Sequence, residues 1–421
     1  MPKKLKKLLS KLGPGFITGA SDDDPSGIAT YSQTGAQFSY TQLWTALFSF
    51  PFMTVIQEMC GRIGMVTGRG LSGVILKHYS KKVLYFAVFL LLLANTVNIG
   101  ADLGAMASSG QLLLKLPYLI WLFAITAIIL VLEIFVSYKV YARFLKYLSF
   151  TLFAYIVVAL IVKQDWIKIL SATILPSISL NRDYFLNIVA ILGTTISPYL
   201  FFWQANEEVE EEVEFHKIRA MGKGVPKITR IDIREMRIDT IIGMFFSQLV
   251  MFFIIVATAS TLGAHGINNI DTATDAAQAL KPIAGNFAFI LFALGVIGTG
   301  MLAVPVLSGS ASYAISETFG WKEGLNEKFK KARGFYAVIT VATILGLLVN
   351  FSGIPPFKML YYTAVLNGLI APPLMILILL ISSNPRIMGK YTNGKFSNWM
   401  GVIITLMMTV AALALITTFF F

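Results

Sequence analysis

This 421-residue chain has one cysteine, Cys60, and three histidines, His78, His216 and His265. A lone thiol excludes an intramolecular disulfide and any multi-thiolate metal site within the chain. The histidines fall near the ends of predicted helices or in loops, which argues against an imidazole-rich metal site. Charge is scarce as well. Only 13% of residues are Asp, Glu, Lys or Arg, about half the share of an ordinary soluble protein. The short alternating segments that build membrane β-barrels are missing too. What is there is apolar: 56% hydrophobic residues and a mean hydropathy of +0.72. They come in repeated runs of about 20 residues, the length that crosses a bilayer as a helix. The expected fold class is an all-α polytopic membrane protein, with residues 1–421 forming a single transmembrane domain. The longest polar stretch, roughly Glu207–Arg237, is too short for an independent core.

Eleven spans are expected, near 13–35, 42–64, 83–109, 117–137, 147–163, 184–205, 239–262, 284–312, 335–352, 358–382 and 398–420. The net charge of +12 invites a nucleic-acid partner, but the distribution of bases points to the bilayer instead. With the N-terminus in the cytoplasm, 28 of the 34 Lys and Arg fall in cytoplasmic segments. Lys115, Lys163, Lys168, Arg182, Lys281 and Lys358 remain outside. That asymmetry is the positive-inside pattern, and no nucleic-acid partner is expected. The basic start Met1–Lys7 is read as a retained segment facing lipid headgroups, because Asp22–Asp24 and Pro25 interrupt what would be the apolar core of a signal peptide. The expected location is a cell membrane, a bacterial inner membrane from the loop-poor architecture, with the C-terminus outside. Spans one to five (about 13–163) and six to ten (about 184–382) are equal in number. Five is odd, so the second half enters from the opposite side, as an inverted repeat requires. The last span, about 398–420, stands outside the repeat.

Two spans are interrupted. Gly13–Tyr31 breaks at Ser21-Asp22-Asp23-Asp24-Pro25-Ser26-Gly27, and Tyr184–Gln204 breaks at Gly193-Thr194-Thr195-Ile196-Ser197-Pro198-Tyr199. Carboxylates inside a membrane span are costly and mark function. Unwound backbone at that depth survives where it lines a cavity. Paired breaks in two halves of a chain point to a transporter's substrate site. Asp24-Pro25 is its centre, because proline removes a backbone donor and frees carbonyls beside a carboxylate. Asp24 also suits a plain helix cap. Asp22 and Asp23 are candidates for a vestibule that concentrates cations or for hydrogen bonding to the backbone. Thr194, Thr195 and Ser197 offer hydroxyls, Pro198 frees the Thr194 carbonyl, and Tyr199 supplies a hydroxyl or a gate. Ser26 and Gly27 leave room for water. No Met, Cys or His lies in either break, and oxygen-only ligation suits Mg2+, Ca2+ or Mn2+. Elsewhere, Asp102 is a candidate vestibule residue near Asn95 and Asn98. Glu58 and Arg62 are spaced to pair along one helix face, and Glu133 to pair with Lys139. Glu207, Glu208, Glu210, Glu211, Glu212 and Glu214 read as a solvated helix end or as an electrostatic funnel. Asn367-Gly368 and Pro305 read as gates or kinks.

Several stretches resemble one family. Gly13-Pro14-Gly15-Phe16-Ile17, Asp24-Pro25-Ser26-Gly27-Ile28-Ala29-Thr30 and Gly35-Ala36-Gln37-Phe38 are similar to span one of the NRAMP divalent-metal transporters. Arg62-Ile63-Gly64-Met65-Val66-Thr67-Gly68 continues the likeness through span two, and Ser197-Pro198-Tyr199 falls where that family has Met-Pro-His. The resemblance implies a LeuT-like fold with about 11 transmembrane helices, two inverted five-helix repeats and broken helices one and six. The residue reading and the resemblance together give an expected metal site at Asp24, Gly27, Thr194 and Ser197, with Asp22, Asp23, Ser26, Thr195, Tyr199, Asp102, Gln204 and Glu207 as vestibule or surrounding candidates. The departures matter. The family's Asn ligand is replaced at Gly27, its Met by Ser197, its histidines by Tyr199 and Gln204, and the Ala whose carbonyl binds metal by Thr194. The span-three acids tied to proton movement align with Asn98 and Ala101, or with Asp102 if the register shifts by one. These changes resemble the NRAMP-related magnesium transporter branch, which binds a largely hydrated ion and is thought to lack proton coupling.

The expected function is therefore divalent cation transport, of Mg2+ and also Mn2+, by alternating access and without proton coupling. The alternatives are a proton-coupled Mn2+/Fe2+ transporter and a sodium-coupled carrier of a small solute. No enzyme activity and no cofactor beyond the transported ion are expected. The sequence sets no oligomeric state, and a monomer is compatible with it.

Overall fold

The computed structural model describes residues 13–136 and 150–418. In chain order its main helices are α1 (Pro14–Asp22), α2 (Pro25–Phe38), α3 (Trp44–Thr67), α4 (Leu71–His78), α5 (Lys81–Leu113), α6 (Tyr118–Phe135), α7 (Phe153–Ile161) and α8 (Trp166–Ile174). They continue with α9 (Arg182–Thr195), α10 (Pro198–Glu214), α11 (Arg230–Thr261), α12 (Ala288–Phe319), α13 (Arg333–Val349), α14 (Pro356–Ser382) and α15 (Lys395–Thr417). Among the described residues there is no sheet, only an isolated bridge between Ala220 and Lys223.

Both interruptions are built the same way. α1 and α2 are separated by Asp23 and Asp24, and α9 and α10 by Ile196 and Ser197. Each second half opens with proline at its first position. There the missing N–H costs nothing, while the ring blocks continuation from the turn before. Asp24 is extended (φ −68°, ψ 173°) and caps α2. Ser197 is extended too (φ −84°, ψ 135°). The unwound stretches are shorter than composition suggests. Gly193, Thr194 and Thr195 stay helical, as do Ser21 and Gly27. Gly193 is there for packing: a Cβ on it would lie 2.0 Å from the Ala364 carbonyl of α14.

α11 runs along both halves of the first broken helix. Small residues set that contact. Gly15 lies against Thr240, and a Cβ on Gly19 would come within 2.3 Å of the Gly243 backbone. Such small-xxx-small spacing lets helix backbones touch in a membrane. α3 meets α10 where Gly64 faces the Ala205 carbonyl. α5 packs on α12, α13 and α14. Gly368 is a close-packing point against Val189 of α9.

Seven helical stretches among the described residues are long and apolar enough to cross a membrane: α5, α6, α9 with α10, α11, α12, α14 and α15. The other expected spans have separate reasons for falling short. α1 and α2 are short halves, α3 carries Gln57, Glu58 and Arg62, α13 has 17 residues, and the span expected at 147–163 begins outside the described residues. Lys139, expected beside Glu133, also lies outside them; Glu133 instead accepts from the Ser308 hydroxyl at 2.6 Å. Glu58 and Arg62 pair as expected, at 2.9 Å. Arg237 joins them at 2.7 Å, and Arg62 also donates to the carbonyl of Tyr391 and to Asn393.

Candidate metal centre

Asp24 sits where the two breaks meet, 1% exposed. Its Oδ1 accepts from the Ser26 hydroxyl at 2.6 Å and from the Gly27 backbone N–H at 2.8 Å. Its Oδ2 accepts from Asn98 Nδ2 of α5 at 3.1 Å and from the Tyr199 hydroxyl of α10 at 3.3 Å. Asp24 is therefore a helix cap, as its residue type allows, and also the carboxylate on which donors from three helices, α2, α5 and α10, converge.

The second break reaches the same point through Thr194, whose hydroxyl lies 3.4 Å from the Ser26 hydroxyl. A Cβ on Gly27 would stand 3.2 Å from the Asp22 carbonyl, 3.3 Å from the Tyr31 ring and 3.4 Å from Thr194 Oγ1. Gly27 is thus closely approached by two oxygens and a ring carbon. Tyr199 also donates to the Ser21 carbonyl at 3.1 Å, which ties α10 to the end of α1. The C-terminal ends of α1 and α9 both face this region, and the negative end of a helix dipole favours a cation.

The remaining candidates divide. Ser197 donates its hydroxyl to the carbonyls of Gly193 and Thr194, at 2.8 and 2.7 Å, so the carbonyl freed by Pro198 is occupied. Thr195 donates back to Ile191 at 2.9 Å and is structural in this conformation. Asp22 and Asp23 face α11: Ser247 Oγ lies 2.5 Å from Asp22 Oδ2 and 3.4 Å from Asp23 Oδ1. Gln204 bridges Thr18 (2.5 Å) and Glu208 (2.8 Å). Glu207 lies apart from the breaks and accepts from Tyr313 at 3.4 Å. The acidic run is not a solvated helix end, because Glu208, Glu210 and Glu212 are buried. Glu210 instead clamps the segment after α12, accepting from Tyr313, from the Leu325 N–H at 2.5 Å and from Asn326 at 2.7 Å. Asp102 is fully buried, within electrostatic reach of Asp24, and both of its oxygens are unpartnered.

Ser247 and Tyr31 were not among the sequence candidates. A single Ser in an apolar helix carries no local signal. Tyr31 stands one turn beyond Gly27, a spacing that could have marked it. Among the described residues no basic side chain forms an ion pair with Asp22, Asp23, Asp24 or Asp102. Among the described residues no three carboxylate, imidazole or thiolate groups converge as a metal cluster. The donor set at the breaks is one carboxylate and neutral oxygens, which suits a hard cation.

The first broken helix is held at both ends. On the N-terminal face Asp239 of α11 accepts from the backbone N–H groups of Gly13, Gly15 and Phe16 at 3.0, 2.8 and 3.2 Å, which clasps the start of α1. On the opposite face Gln33 of α2 donates to the Asn268 carbonyl at 3.0 Å and accepts from the Ile270 N–H at 2.9 Å.

Known proteins share this fold. The chain is 26% identical over 420 residues to the divalent metal cation transporter MntH of Clostridium acetobutylicum, covering 96% of this chain and 90% of the relative. It is 24% identical over 407 residues to the MntH of Caldanaerobacter subterraneus subsp. tengcongensis, covering 95% and 91%. The crystal structure of the Eremococcus coleocola manganese transporter with a bound aromatic bis-isothiourea compound superposes with a TM-score of 0.76 at 15% identity, covering 98% of this chain and 87% of that one. Mhp1 in its inward-facing conformation follows with a TM-score of 0.55 at 14% identity, covering 97% and 89%. The expected LeuT-like fold is thereby met. The family model for natural resistance-associated macrophage protein-like proteins matches residues 15–418, both broken helices included, and this chain belongs to the Nramp family.

Proposed function

We propose that this chain carries a divalent cation across a membrane by alternating access, taking Mg2+ and also Mn2+ as a largely hydrated ion and without proton coupling. The observation that carries the reading is Asp24: a buried carboxylate at the junction of two broken helices, held by two hydroxyls, a backbone N–H and the Asn98 amide, with no basic side chain paired to it among the described residues. A buried anion needs a partner, and a cation supplies it. Asp24 gives the main charge. Thr194, Ser197 and the backbone at Gly27 give oxygens directly or through water, Ser197 once its hydroxyl turns from its own helix. The names of the relatives support divalent metal as the cargo. The absence of sulfur and imidazole at the breaks favours hard ions.

The two halves act as inverted repeats, about 13–163 and 184–382, with α15 outside them. α11 embraces the first broken helix and α3 packs on α10, a pairing that exchanging the halves reproduces. The N-terminus lies in the cytoplasm of a bacterial cell and the C-terminus outside. A manganese carrier with proton coupling is the second reading, favoured by the name of the Eremococcus coleocola structure. A sodium-coupled solute carrier is disfavoured, because three carboxylates at one break repel an anionic group.

Uptake into proteoliposomes containing a pH-sensitive dye tests both readings. Mg2+ entry without acidification is expected. Mn2+ entry with acidification and no Mg2+ entry would transfer the protein to the second reading. Asp24→Ala is expected to abolish uptake in a protein that still elutes as a folded species, and full activity would end the assignment.

A further inference from the structure

Asp102 carries an unexplained demand. It is fully buried on α5, and neither carboxylate oxygen has a hydrogen-bond partner. One turn earlier, Asn98 donates its amide to Asp24 and leaves its own Oδ1 unpartnered. Residues four apart share a helix face, so α5 presents three unsatisfied acceptor oxygens on the face that touches Asp24. Asp24 is the charge that acts on Asp102, and the Tyr199 hydroxyl bonded to Asp24 also feels Asp102. Buried acceptors left without donors are costly and call for a donor from outside the protein. Here that donor must suit acceptors only.

We propose that Asp102, together with the Asn98 side-chain carbonyl, receives the water molecules of a cation held on Asp24 and so adds a carboxylate from α5 that acts on the ion without touching it. This rests on the metal-binding reading of Asp24. A divalent ion polarises its bound waters into strong donors. An ion-to-oxygen distance of about 2.1 Å plus a hydrogen bond of about 2.7 Å places such an acceptor roughly 4–5 Å from the ion. An acceptor acting through water favours the ion that keeps its water. Mg2+ dehydrates reluctantly, so Asp102 is a specificity-determining residue that weighs on Mg2+ more than on an ion that sheds its shell.

The test is calorimetric titration of the purified full chain in detergent with Mg2+ and with Mn2+, for the parent, Asp102→Asn, Asp102→Glu and Asp24→Asn. Asp102→Asn is expected to weaken Mg2+ at least tenfold and Mn2+ several-fold less, so that the ratio of the two affinities changes. Asp102→Glu is expected to restore part of that ratio. Equal loss for both ions without recovery in Asp102→Glu would mean a structural role and overturn the proposal, as would parental binding of both ions by Asp102→Asn. If Asp102→Asn does not fold, Asp102→Ser carries the same comparison. Asp24→Asn separates the two levels of inference: parental binding there removes the metal site itself, whereas loss there with an unaltered Asp102→Asn removes only the role of Asp102.

Discussion

Two substitutions at the breaks report directly on what single side chains do. Ser197 turns its hydroxyl back on the carbonyls of Gly193 and Thr194. Ser197→Met would remove that hydroxyl, release the Thr194 carbonyl and add a soft sulfur. Affinity for Cd2+ should rise about tenfold or more, because thiolate and thioether donors select soft metals; competition against Mn2+ uptake measures it, and unchanged inhibition by Cd2+ would show that position 197 does not face the ion. Gly27 is confined by the Asp22 carbonyl, the Tyr31 ring and Thr194 Oγ1 at 3.2–3.4 Å. A methyl group there fits only if those groups give slightly, and on the proposed reading it would crowd the oxygens that meet the ion. Gly27→Ala should therefore yield folded protein whose uptake is lowered roughly fivefold or more, a loss comparable to about 1 kcal/mol. Uptake at the parental rate would show that no ligand occupies that space.

The elements most exposed to test are the two halves of the first broken helix. Asp239 holds the start of α1 by three backbone donors, and charge-assisted bonds of that kind are stronger than neutral ones. Asp239→Ala should let α1 leave α11. In a Cys60→Ser background, labelling of Ser21→Cys by a thiol reagent applied from the N-terminal face should rise several-fold, and unchanged labelling would show that packing at Gly15, Gly19 and Gly243 suffices. Much of this architecture was legible beforehand. Proline among small polar residues inside apolar runs announced both breaks, and Asp24 stood out because a carboxylate next to proline in a span has few bland explanations. The extent of the breaks was not legible, since Gly193 looks like a helix breaker yet serves close packing with α14. Nor were the partners of Asp22, Gln204 and the acidic run. Ser247 meets Asp22 across 225 positions of sequence, and such pairings leave no periodic trace. Glu207–Glu214 read as a solvated end because charge normally seeks water. The helix continues through it, and its buried acids clamp neighbouring segments instead.

Across the whole molecule, acidic groups gather on the N-terminal face. Glu323, in the segment after α12, has one buried oxygen without a partner. Burial, and then the nearby Glu317 and Glu210, push its carboxyl well above the usual range, against the opposing effect of Arg69. A raised carboxyl binds its proton more tightly in the folded state, so stability falls as pH rises through the window above the ordinary Glu value. Glu323→Gln should raise the thermal midpoint by roughly 1–3 °C at pH 8, and the gain should vanish near pH 4, where the parent is protonated in both states. A gain that persists at pH 4 would point to packing rather than charge. The same face carries the Asp239 clasp, while the Gln33 clasp closes the other end of the same broken helix. Both clasps attach to α11 or to the chain just beyond it. A continuous helix would pass the loss of one clasp straight to the other, and both ends would open together into a leak. The two residues at positions 23 and 24 interrupt that transmission. In the proposed alternating-access cycle they would act as an insulator for the membrane, letting one end yield while the other holds, so that an ion gradient is not short-circuited at each turnover.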